Sequence, residues 1–246
     1  MRTNLNTIRR HCQRAVRIAA PHEFGAVPIY ILFDSELPAD AHLEAGIGGM
    51  VWSNFDLCLR PCIKKWRGRG PCLILGESTW KTAATRAHAF ADTVGIALHE
   101  VSHLLADGWT PSALDDSTKA LATLPTPAAA VKLHHAPSDP GRVGLYCNLY
   151  AHDSRFIRVL CHARYRAGRR GMCTGGWDVG AYVQGLSWLL SYDADLHDEA
   201  RAMEGAAFSE ILKQSPPAAF VDRWNSDLDS VVAKHGGAAL AEDLYL

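Results

Sequence analysis

Apolar residues return at helical spacing at the start of the chain. Leu5, Ile8, Cys12, Val16 and Ala19 form one stripe and predict an amphipathic first helix. The period then shortens. Pro28 precedes Ile29-Tyr30-Ile31-Leu32-Phe33, an apolar run rich in β-formers, which predicts a buried strand. The stretch GGMVWSNFDLCLRP (Gly48 to Pro61) reads as one or two further strands around an Asn-containing turn. Cys72-Leu73-Ile74-Leu75, bounded by glycines, predicts another.

Helical spacing resumes from about Lys81 to Ala106, with Phe90, Val94, Leu98, Val101 and Leu105 as the buried stripe and Gly108 placed to end the helix. The next stretch, Thr110 to Gly144, is rich in Pro, Ser, Thr and Asp and predicts a long excursion. A second strong helix signal opens at His152-Asp153-Ser154, where Asp153 or Ser154 can cap it. Phe156, Val159, Leu160 and Ala163 give its buried face, and Gly168 is placed to end it before a basic, glycine-rich loop. From Trp177 onward the pattern is helical, broken at Ser215-Pro216-Pro217.

These elements predict an α+β fold: an N-terminal helix and a small twisted sheet packed on a long central helix, then a mostly helical C-terminal part. The expected division is 1–110 for the α/β part, 111–142 for the excursion and 143–246 for the helical part, together making one continuous domain.

Composition narrows the partners. The 246 residues are 48% hydrophobic and 21% charged, with a net charge of -1, as expected of a folded soluble chain. A near-neutral balance argues against nucleic acid as the main partner. No apolar run approaches the roughly 20 residues that cross a bilayer, so no membrane role is expected. The first twenty residues carry several arginines and no acids, as a mitochondrial presequence would, but their helical spacing favours a helix packed on the domain. With no export signal, the seven cysteines are expected as reduced thiols in a cytoplasm. Cys58, Cys62 and Cys72 lie close together, yet lack the tight pair and fourth ligand of a zinc knuckle.

The strongest chemical signal is His99-Glu100-Val101-Ser102-His103, an H-E-x-x-H pattern inside the central helix. Residues four apart share a helix face, so two imidazoles can aim one nitrogen each at a common point. Zinc accepts that arrangement. Glu100 follows the first histidine, so its carboxylate lies beside the metal rather than on it, where it can take a proton from a zinc-bound water. Ile96, Leu98, Val101, Leu104 and Leu105 surround the motif, and buried charge is costly unless paired or metal-bound.

A strand-rich N-terminal part followed by an H-E-x-x-H helix resembles the zincin metallopeptidases. The resemblance implies zinc, a peptide or protein substrate and a third protein ligand. The metzincin pattern is excluded, because Ala106 and Trp109 stand where it needs Gly and His. A glutamate ligand would have to be Glu199, since no glutamate lies between it and Glu100. Aspartates available to an aspzincin-like site are Asp107, Asp115, Asp116 and Asp153, without that group's G-T-x-D pattern. The segment His152-Asp153-Ser154-Arg155-Phe156 is similar to the H-G-P-x-F/W ligand segment of SprT-like metallopeptidases, with Asp-Ser in place of Gly-Pro and about fifty residues from His103. His152 is therefore the preferred third ligand, with His134-His135 weaker. His162, ten residues on, falls on another helix face as a supporting or surface residue.

Tyr146 and Tyr150, near His152, are candidates to stabilise an oxyanion. The strand at Cys72–Leu75 is a candidate for the edge strand that zincins pair with an extended peptide. Two basic segments with an aromatic each, Lys64–Gly70 and Arg164–Gly171, have the composition of phosphate contacts. The expected activity is zinc-dependent hydrolysis by a metallopeptidase, with His99, His103 and His152 as ligands and Glu100 as general base. The alternative is a non-catalytic binding or scaffold protein of the same fold with a structural metal.

Overall fold

The computed structural model describes residues 4–39, 49–52, 59–76, 86–111, 154–174, 194–222 and 225–226. Within them the fold mixes helices with a small sheet and is mostly helical. The first helix, α1 (Leu5–Ala19), is capped by Asn4, whose side chain accepts from the Asn6 N–H. Its apolar stripe, Ile8, Cys12, Ala15, Val16 and Ala19, is fully buried, so this segment is a packed part of the fold. A single turn, α2 (Pro21–Phe24), follows.

Among the described residues the sheet has three strands: β1 (Tyr30–Phe33), β2 (Gly49–Trp52) and β3 (Cys72–Leu75). Their order is β1-β3-β2, with β1 parallel and β2 antiparallel to β3. This corrects one expectation. Cys72–Leu75 is the central strand, its backbone groups engaged on both sides, and cannot serve as an edge. Among the described residues the edges are β1 and β2. The last residue of β1, Phe33, lies opposite Leu75, and Gly49 of β2 also pairs with Leu75.

The central helix α3 (Arg86–Ala106) packs on α1, on β2 and β3, and on α4 (Ser154–Arg169). Its end follows the sequence signal. Gly108 adopts a φ of 77°, its N–H donates to the Leu105 carbonyl (3.1 Å), and the Trp109 N–H donates to that of Leu104 (2.8 Å). This left-handed closure satisfies carbonyls the helix leaves open, and it stacks Trp109 on Phe24 at 4.7 Å.

The second helix runs past its expected stop. Gly168 lies inside α4, and the positive φ (74°) falls at Gly171. The segment read as a basic loop is therefore largely the last turns of α4. Arg166 is 2% exposed and donates to the carbonyls of Ala19, Met203 and Ala206, with its guanidinium over the Phe208 ring. An arginine spent in this way is not a phosphate contact.

Two short helices, α5 (Ala194–Ala202) and α6 (Phe208–Lys213), follow. Beyond α6 the chain breaks at Ser215-Pro216-Pro217 as expected. Arg158 of α4 reaches under this break. It donates to the Gln214 carbonyl (2.8 Å) and is ion-paired with Glu199 of α5. One hydrophobic cluster unites α1, β1, β3, α3, α4 and α6, drawing residues from both ends of the chain. No helix among the described residues is long and apolar enough to cross a membrane. The predicted excursion and the helical patterns at 177–193 and 227–246 lie outside the described residues.

Candidate metal centre

Four polar residues of α3 are buried: Thr93, His99, Glu100 and Ser102. The two hydroxyls are satisfied by their own helix. Thr93 donates to the Ala89 carbonyl (2.6 Å) and Ser102 to that of Leu98 (2.7 Å). The sequence motif supplies the other two.

His99 and His103 stand one turn apart and turn the same ring atom toward each other. Their Nε2 atoms are 3.3 Å apart, with ring centroids at 5.1 Å and planes at 73°. Two nitrogens at tetrahedral positions around a zinc, each bonded at about 2.0–2.1 Å, stand about 3.3–3.4 Å from one another. The pair thus fits two adjacent positions of such an ion. His99 is buried, whereas His103 is partly exposed, so the pair lies near the molecular surface.

Phe156, in the first turn of α4, holds both rings. It lies against the His103 imidazole at 4.2 Å with planes at 27°, and meets His99 edge-on at 5.0 Å. An aromatic wedge on two imidazoles limits their rotation about χ2, which fixes where their nitrogens point. The sequence marked Phe156 as buried; its contact with both histidines comes from the packing of α4 on α3.

Glu100 is 6% exposed and has no ion-pair or hydrogen-bond partner among the described residues. Burial pushes its carboxyl up to about 8, because the charged form loses solvation. Gly49 of β2 sits directly against it. A Cβ at position 49 would lie 2.8 Å from Glu100 Oε1 and 2.9 Å from Ile96 Cγ2. Glycine there lets the edge strand approach the carboxyl closely. The sequence signal was a glycine opening a strand pattern, to which no role had been assigned.

The remaining proposed residues divide in two. His152, Tyr146, Tyr150 and His134-His135 lie outside the described residues, as do Asp115, Asp116 and Asp153. Glu199 is described and is engaged elsewhere: Arg158 and His162 hold both its carboxylate oxygens, His162 Nε2 at 3.1 Å. Burial by itself would raise the Glu199 carboxyl. The hydrogen bonds from His162 and Arg158 and the Arg158 charge outweigh it and hold the group below the usual range. Glu199 is thus an ion-pair partner of α4, not a ligand of the histidine pair. His162 is fully buried, which removes the surface one of its two readings. Among the described residues no third His, Cys, Asp or Glu joins His99 and His103. Comparison with protein-family models, with curated proteins and with solved structures finds no match for this chain.

Proposed function

We propose that this protein is a zinc-dependent hydrolase of the zincin type, acting on peptide bonds. The observation that carries the reading is the 3.3 Å separation of the His99 and His103 Nε2 atoms, with the buried Glu100 carboxyl on the same helix turn. Zinc held by these imidazoles supplies a Lewis acid that lowers the pKa of a coordinated water towards about 7.

The protein's own residues do the rest. His99 and His103 hold the ion, and Phe156 keeps their rings aimed. Glu100 takes a proton from the attacking water and delivers it to the leaving amine. A group whose burial already places its titration near neutrality is suited to both halves of that exchange. His152 is the proposed third ligand. It is supported by the start of α4 two residues later and by Phe156, four residues later, resting on both imidazoles. Tyr146 and Tyr150 remain the proposed oxyanion donors. The edge strand for an extended peptide is assigned to β2, an outer strand among the described residues, whose first residue abuts Glu100.

The partial exposure of His103 favours this reading over a closed structural site, in which protein atoms would fill all four positions. The test is a pair of variants. Glu100→Gln should bind zinc as the parent does while peptide hydrolysis falls by about 10²–10⁴-fold. His99→Ala should lose the metal. Full hydrolysis by Glu100→Gln, or unchanged zinc content in His99→Ala, would sink the reading.

A further inference from the structure

We infer that a second site, separate from the histidine pair, binds a chain of linked phosphates along the outer side of β1. A groove of about 670 Å³ runs between α1, the outer edge of β1 and the segment 62–67. Two basic stretches distant in sequence line it. Arg10 and Arg17 come from α1, and Lys64, Lys65 and Arg67 from the Lys64–Gly70 loop. Arg10 and Arg17 are seven residues apart, hence on one helix face about 10 Å from each other along the axis.

Arg9 also lines the groove, but its guanidinium is bound to both Glu36 oxygens at 2.5–2.6 Å, so these two charges offset each other. The five other cations have no acidic partner among the described residues. Five such cations lining one groove create a local positive field that a net charge of -1 conceals.

Three features select the ligand. An extended peptide cannot add to β1 as a further strand. The outward carbonyls of Ile29 and Ile31 already accept from Gln13 Nε2 and Arg9 Nε, each at 2.8 Å. Tyr30, which lines the groove, already stacks on Trp66 (5.4 Å, planes at 7°), and Trp66 in turn carries the Arg60 guanidinium at 4.9 Å. Recognition is left to charge, and guanidinium and ammonium groups from both stretches suit phosphate oxygens.

The shared chemistry is a row of phosphates, whether the backbone of a single-stranded nucleic acid or inorganic polyphosphate. The test uses the full chain and a fluorescent single strand of about 12 deoxythymidines, read by anisotropy at about 50 mM salt. Binding should weaken with salt at a log–log slope of roughly -3. Arg10→Ala/Arg17→Ala and, separately, Lys64→Ala/Lys65→Ala/Arg67→Ala should each weaken it about tenfold and flatten the slope. Circular dichroism should show both variants folded. Displacement by polyphosphate means the charges alone are read; resistance to it means the site is specific for the nucleotide strand. The inference is overturned by no binding, by binding that neither variant weakens, or by equal displacement with polyglutamate. His99→Ala should bind the strand normally, so failure here and failure of the hydrolase reading are separate results.

Discussion

Gly49 shows how much one missing methyl group can decide. Its Cα faces Glu100 and Ile96 so closely that a Cβ would meet both below 3 Å. The expected outcome for Gly49→Ala follows from overpacking: a loss of about 1–3 kcal/mol in urea unfolding, with Glu100 pushed out of place. Neither histidine is touched, so zinc content should stay at the parent level while hydrolysis falls. Equal loss of metal and activity would show instead that β2 supports the whole helix and not the carboxyl. Gly108 is a different case, because nothing crowds its missing Cβ and its φ of 77° is the constraint. Gly108→Ala should cost about 1–2 kcal/mol in thermal unfolding through backbone strain alone, with the site unchanged.

At the scale of elements, α4 is fixed from two sides. Its first turn places Phe156 on the imidazoles, and its middle binds α5 through Arg158, His162 and Glu199. Glu199→Ala would leave Arg158, 4% exposed, without its counter-charge, at a cost of about 3 kcal/mol by chemical denaturation. The pH dependence has a definite sign. The Glu199 carboxyl is held below its ordinary value in the folded state. Its contribution is therefore complete above the unfolded value, about 4.3, and is lost as pH falls through the lower folded one. An acid-unfolding series should show Glu199→Gln with a shallower loss of stability across that window than the parent. Identical acid limbs would mean that this carboxylate is not what the acid titrates.

For the whole molecule, the histidine pair sits where α3 meets α4, against Phe156 of the cluster that joins α1 to α6. A metal held there as proposed, by His99, His103 and His152, would tie α3 to the start of α4, so its binding and folding would be linked. Zinc at a hundred times its Kd should add about 2.7 kcal/mol to stability, and a chelator should remove it. Thermal unfolding of His99→Ala should not respond to zinc. A response in that variant would place the stabilising metal elsewhere.

The sequence by itself determined the elements and the chemistry of the central helix. The stripes of α1, α3 and α4, the strands near Tyr30, Met50 and Leu73, and the left-handed stop at Gly108 are local signals, set by period and by backbone sterics. The imidazole pair was legible for the same reason, since a four-residue spacing within one helix needs no tertiary information. What lies between elements was not legible. Strand order decided that Cys72–Leu75 is central and that an edge lies at β2, and order depends on pairing across long separations. Burial of Arg166 and His162 depends on carbonyls and a carboxylate brought from distant segments, which their own stretch of sequence does not contain. The meeting of α1 with the Lys64–Gly70 loop, and of Gly49 with Glu100, likewise exists only once the sheet is packed against the helices. Contacts of that kind are fixed by the shape of the packed core, which no single stretch of the chain contains.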